Sequence, residues 1–224
     1  MTVRMSTTLR MLGILVAGAV ALAIVQQVVR DRAAAGAPTT HDGDTIEITP
    51  AARAAGLRFA ADIAPTDRKW ILHAVARARP AAGRLIAEVD GLVMMRAHQG
   101  DDVLGLAQGG ASGFTIEFNL PRLNGDRQGD RATAVLHELG HVIDFALVPK
   151  STNATLDAQI PSSGPCGPVV DCDSVEERFA DTFAKWALRG AVSEVGAGYG
   201  IPLPPSVEDW GAPLSELAYS LPLA

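Results

Sequence analysis

"TAVLHELGHVIDFAL", residues 133–147, carries His137, Glu138 and His141 in the order HExxH. A helical pattern spans 131–147, with Asp130 as its expected N-cap and Pro149 as its stop. On a helix, residues four apart share a face, with Cβ atoms about 5–6 Å apart. Two imidazoles so placed can reach one ion at Zn–N distances of about 2.0–2.1 Å. Glu138 leans over the same face without having to bind the ion. It is placed to take a proton from water that the metal has acidified. The bland alternative is a surface helix that happens to carry two histidines. The setting favours the metal, because the motif lies in a periodic helix straight after an alternating strand.

A metal needs a third protein ligand. Leu147 stands where the HExxHxxGxxH pattern would place it, and Asp144 replaces that pattern's glycine, so that class is excluded. Asp144 is one turn beyond the histidines and is expected to cap the wet side of the helix. A better source is the second strong helix, "DSVEERFADTFAKWALRG", read over 174–189 with Gly190 as its stop. There Glu177 and Asp181 share a face, while Phe179, Phe183 and Trp186 line an apolar one. Glu177 would supply the third bond, and Asp181 a carboxylate to hold a ring N–H of a ligating histidine. Two rivals stay open. Ser174 and Glu177 also fit an S-x-x-E capping box, and Glu176 is the substitute ligand, although Ala180 sits where its acidic partner would fall.

These residues resemble the gluzincins, metallopeptidases with HExxH on one helix and a glutamate on the next. "EERFAD" looks like the corresponding element of the anthrax lethal factor-like zinc domain, and is similar to the ExxxD of the thermolysin type. The resemblance covers 131–189. It implies one zinc ion held by His137, His141 and Glu177, with Glu138 as general base and Asp181 orienting a ligating histidine. It implies an α+β, zincin-like fold, with a small mixed sheet packed on the HExxH helix and the third ligand on a following helix. The activity implied is hydrolysis of peptide bonds; the alternative is a non-catalytic binding module on the same scaffold. Two departures leave the oxyanion donor open. The lethal-factor type has a tyrosine before the ligand glutamate, where this chain has "PVVDC", and no histidine follows His141 for the thermolysin type. Tyr199 and Tyr219 are the candidates.

The rest of the chain is read around this pair of helices. A helix is expected over 67–79, with Trp70, Ile71, Ala74, Val75 and Ala78 apolar and Pro80 as its stop. "RLIAEVDGLVMMRA" (84–97) reads as one or two strands, and "DDVLGLAQGG" (101–110) holds another. "SGFTIEFNLPRL" alternates Phe114, Ile116, Phe118 and Leu120 against Thr115, Glu117 and Asn119, and Pro121 suits a strand near an edge. By the resemblance, this edge strand would bind an extended peptide through main-chain hydrogen bonds. His41, His73 and His98 have no partners at ligand spacing. Residues 149–173 read as a long loop, and 191–224 as a Gly- and Pro-rich tail with weak helical hints at 214–219.

Composition bounds the remainder. The 224 residues are 48% hydrophobic and 20% charged, as suits one globular core (51–224) once a leader is set aside. Arg4 and Arg10 precede an uncharged apolar run over 11–25, the pattern of a secretory signal peptide; an uncleaved anchor is the rival reading of 1–35. A linker, 36–50, follows. Either reading of 1–35 places the domain outside the cytoplasm, with membrane contact only through that segment. Setting 1–35 aside leaves 15 basic and 24 acidic residues, a formal charge of −9. That charge argues against nucleic acid as a partner and fits a peptide or protein substrate. In an exported chain Cys166 and Cys172 read as a disulfide, against free thiols as the alternative.

Overall fold

The computed structural model describes residues 56–100, 103–110, 113–161, 174–190 and 201–221, all within a single unit, 47–223. The expected leader, linker and cysteine pair and Tyr199 lie outside the described residues. Among the described residues no helix is long and apolar enough to cross a membrane.

The architecture is mixed α+β around a four-stranded sheet. Its strands are β1 (Arg58–Phe59), β2 (Val93–Ala97), β3 (Gly105–Gly110) and β4 (Gly113–Phe118), in the order β1-β2-β4-β3. β1, β2 and β4 run parallel, and β3 pairs antiparallel with β4 in a hairpin that starts from Gly110↔Gly113. The alternation read in β4 is real: Ile116 and Phe118 are wholly buried, while Thr115 and Glu117 are only partly so. Its position differs from the expectation. β4 is paired on both sides, and the edge belongs to β3. Pro121 lies in the first turn of α3 (Leu120–Asn124), where a missing N–H costs nothing.

Two helices precede β2, α1 (Pro65–Ala76) and α2 (Pro80–Val89). α2 and the 3-10 turn Asp90–Leu92 replace the first half of the strands expected over 84–97. The first helix begins at Pro65 and ends at Ala76 with Arg77 as its C-cap, short of the expected stop, and Pro80 instead opens the next helix, where Leu85, Ile86 and Val89 are buried. The HExxH helix, α4 (Arg131–Leu147), has the expected bounds. Asp130 sits at its N-cap position but makes no side-chain cap; it accepts instead from Arg127 Nε at 2.7 Å.

Part of the expected 149–173 loop is helical, as α5 (Lys150–Asp157). α6 (Val175–Ala187) then packs along α4, and this helix pair is the most extensive contact between elements in the fold. The short α7 (Val207–Trp210) and α8 (Ala212–Ser220) form the end of the described chain. α6 buries Phe179, Phe183 and Trp186: Phe183 reaches Gly140 of α4, and the ring of Phe179 lies 5.7 Å from that of Trp210. The indole of Trp210 donates to Leu156 O at 3.1 Å, which ties α5, α6 and α7 together.

Candidate metal centre

α4 presents His137, Glu138 and His141 from a stretch that is buried almost all round, between the sheet on one side and α6 on the other. The approach of α6 depends on two small residues. A β-carbon at Gly140, between the two histidines, would lie 3.0 Å from Ala180 Cα, so a side chain there would push the helices apart. The close crossing brings the first turn of α6 over the imidazoles.

The rivalry over Glu177 is resolved by what each half of the residue does. Its backbone N–H donates to Ser174 Oγ at 3.3 Å, so the serine caps the helix. Its carboxylate turns toward α4 instead of closing a capping box: Oε2 lies 3.1 Å from His137 Nε2, and Oε1 3.4 Å from His141 Nε2. The two Nε2 atoms are 3.2 Å apart. Glu176 is exposed.

Four ligands at zinc distances of about 2.0–2.1 Å stand about 3.3–3.4 Å from one another in a tetrahedron. The two imidazole nitrogens are close to that spacing, and each lies near a different oxygen of Glu177. With a single oxygen taken from Glu177, the donors still lie within 4.8 Å of one another. Two imidazole nitrogens and a carboxylate oxygen are the donor set zinc takes at open sites, so the residues fit the ion.

Electrostatics point the same way. Burial raises the Glu177 carboxyl, but bonds from both histidines and their charges outweigh it and hold the pKa at about 2. Burial lowers His137; the bond from Glu177 and the charges of Glu138, Glu177 and Asp181 more than offset this, and its pKa rises. Each shift favours a positive charge beside the Glu177 carboxylate.

Glu138 lies within reach of the charges of both histidines and of Glu177, against the sheet. It is buried, and burial pushes its pKa up against the lowering effect of the two histidines and a backbone hydrogen bond from Ala107. It lies against β3 because residue 105 has no side chain: a β-carbon at Gly105 would overlap Glu138 Oε1. The edge of β3 can be read from its register. Asn119 N donates to Leu104 O at 3.0 Å, and bonded pairs alternate along an antiparallel ladder. Leu106, Gln108 and Gly110 therefore bond to β4, and the amides and carbonyls of Gly105, Ala107 and Gly109 point outward.

Asp181 is wholly buried one turn after Glu177, ion-paired with Lys185 Nζ, and its charge acts on His137. Burial raises its pKa, against the pull of Lys185. Lys185 also donates to Ile201 O at 2.5 Å. Asp144 does not cap a wet face: it is buried and accepts from Asn153 Nδ2 at 2.6 Å. Tyr219 is 60% exposed on α8, with the Arg84 guanidinium 5.0 Å from its ring. α8 packs chiefly on α2, not on the helices that build the cluster. His73 is exposed, and His98, just past β2, pairs at 3.1 Å with Glu117, which alternates with the buried Ile116 and Phe118 along β4.

Sequence reading missed Gly105, Ala107, Gly140 and Lys185. Two left a signal: Gly140 as an isolated glycine inside a helical run, and Lys185 as a cation four residues after Asp181. Comparison with protein-family models, curated proteins and solved structures finds no match to this chain.

Proposed function

We propose that this protein is an extracytoplasmic zinc-dependent endopeptidase of the gluzincin type, with a zincin-like fold. The observation that carries the reading is the convergence of His137, His141 and Glu177 from two helices, with one donor atom of each within 4.8 Å of the others. Zinc bound there would supply a Lewis acid for a carbonyl and would acidify water at the site.

The chain's own residues supply the rest. Glu138, buried with a raised pKa, accepts the proton of the attacking water and hands it to the leaving amine. The amide of Ala107 orients that carboxylate, and Gly105 leaves room for it. The outward carbonyl of Ala107 and the outward groups of Gly109 on the β3 edge are available to an extended peptide, so β3, not the 113–120 strand, takes the substrate role expected from the resemblance. Asp181 acts behind His137 as an electrostatic support, backed by Lys185.

A second reading is a binding module on the same scaffold. It is favoured by the position of Tyr219, away from the cluster, which leaves the oxyanion donor unassigned. Buried Glu138 beside the histidines speaks against it, since structural zinc needs no adjacent base. Elemental analysis and a peptide-library assay on wild type and Glu138→Gln separate the two. The expected result is one zinc in both proteins, with turnover in the variant lower by about 10²–10⁴-fold. Full activity in the variant would remove Glu138 from the mechanism, and zinc without turnover in wild type would favour the binding module.

A further inference from the structure

We infer that Arg178 is a positioning residue for the metal centre: by clamping α6 to the C-terminal end of α5, it fixes the first turn of α6 and with it the Glu177 carboxylate. This inference rests on the metal-centre reading above and adds to it the part that holds the third ligand in place.

A ligand in the first turn of a helix is weakly held by the helix itself. The first four N–H groups have no partner inside the helix, and helix ends fray. Glu177 is the third residue of α6. His137 and His141, by contrast, lie well inside a helix of 17 residues. Ser174 caps the first turn of α6 through one bond of 3.3 Å. The close crossing of Gly140 and Ala180 comes three residues after Glu177.

Arg178 supplies a second fixed point. It follows Glu177 directly, so its side chain leaves the helix about 100° round from the carboxylate. It is buried, and its guanidinium has four acceptors on residues 157–161. Nε donates to Asp157 Oδ1 at 2.6 Å, and Nη1 to Pro161 O at 3.3 Å. Nη2 donates to Asp157 O at 3.1 Å and to Ile160 O at 2.6 Å. The three carbonyls lie at the C-terminal end of α5 and just beyond it, where helix carbonyls lack partners and the helix dipole favours a cation. A rigid guanidinium fork can serve four acceptors at once, and an ammonium, with three donors, cannot.

The element that Arg178 grips is itself anchored. Leu156 is wholly buried, and its carbonyl accepts from the indole of Trp210. Asn153 of α5 donates to Asp144 at 2.6 Å, and Asp144 is one turn past His141 on α4. The contacts therefore close a ring. It runs from His141 along α4 to Asp144, across Asn153 into α5, and back through Asp157 and Arg178 to Glu177. Opening the ring at Arg178 releases the turn that carries Glu177 and leaves both histidines in place.

The rival account is that Arg178 only stabilises the fold. A double-mutant cycle separates the two, because a residue that acts through Glu177 has nothing to act on once that carboxylate is gone. Metal affinity of the folded full chain is measured by competition with a chromophoric chelator. The proteins are wild type, Arg178→Met, Glu177→Ala and the double variant. The probes are zinc and copper(II), the second because its tighter binding keeps the carboxylate-free proteins measurable. Arg178→Met should weaken binding by about 10-fold or more, the loss that follows removal of a group supporting a ligand. In the Glu177→Ala background the same change should leave affinity nearly unaltered. Asp157→Ala, which removes one of the four acceptors, should weaken binding in the same direction by less. It decides the matter if Arg178→Met does not fold. Unchanged affinity in folded Arg178→Met, or in Asp157→Ala where that variant must stand in, would overturn the inference. So would a loss of equal size with and without the Glu177 carboxylate. These results leave the metal-centre reading standing, whereas wild type that binds neither ion would sink that reading and this inference together.

Discussion

Contact with His137 holds the Glu177 carboxyl down and helps to raise His137, and each shift has a sign that can be worked out. Glu177 titrates at about 2 instead of its ordinary 4.5, so the stability it contributes is complete above 4.5 and lost as pH falls through 2. His137 is raised above 6.5, so its contribution is complete below 6.5 and lost as pH rises through the folded value. In metal-free protein the pair therefore stabilises most between about 4.5 and 6.5. Zinc needs the imidazoles neutral, so its stabilisation should grow as pH climbs out of that window. Thermal denaturation with and without zinc checks this; a melting-temperature gap that does not widen with pH would contradict ligation by His137. Sequence alone identified Glu177 but could not choose between its two roles. Ser174 receives its backbone N–H, which is the local half of the story, and the carboxylate is drawn off by residues 36 and 40 positions earlier.

Between elements, the site depends on how closely α6 approaches α4. Gly140→Val would drive methyl groups into the backbone at Ala180, a strain of about 1–3 kcal/mol. Moving α6 outward carries Glu177 away from both imidazoles. The variant should keep its far-UV helical signal while its zinc affinity falls by at least tenfold, an order-of-magnitude expectation for losing one aligned ligand. Unchanged zinc affinity in a folded variant would show that the crossing does not set the third ligand. The sheet teaches a similar lesson. Alternation in 113–118 revealed a strand and its buried face, because side-chain period is a property of the strand itself. It could not reveal the neighbours, and β3 doubles back to take the edge. The error over 84–89 has another cause: Leu85, Ile86 and Val89 suit a strand or a helix, and Pro80 at N1 decided for the helix.

Across the whole molecule, the candidate centre is fastened to the end of the chain through Lys185. Its ammonium lies between Asp181, behind His137, and the carbonyl of Ile201, where the described chain resumes before α7 and α8. Lys185→Met would leave the Asp181 carboxylate buried without its cation, at a cost of about 3–5 kcal/mol. Urea denaturation of the metal-free protein should show the loss, and a Lys185→Met, Asp181→Leu double variant should recover much of it. Equal stability in the single variant would mean that the pair is solvated in solution. The sequence by itself determined the two long helices, the buried face of β4 and the identity of His137, Glu138 and His141, because helical and strand periods and HExxH spacing are fixed by local geometry. Only the tertiary structure decided that Glu177 faces the histidines, that β3 holds the edge and that Gly105 and Gly140 are the points of closest approach. Those depend on contacts between segments far apart in the chain, which no local pattern encodes.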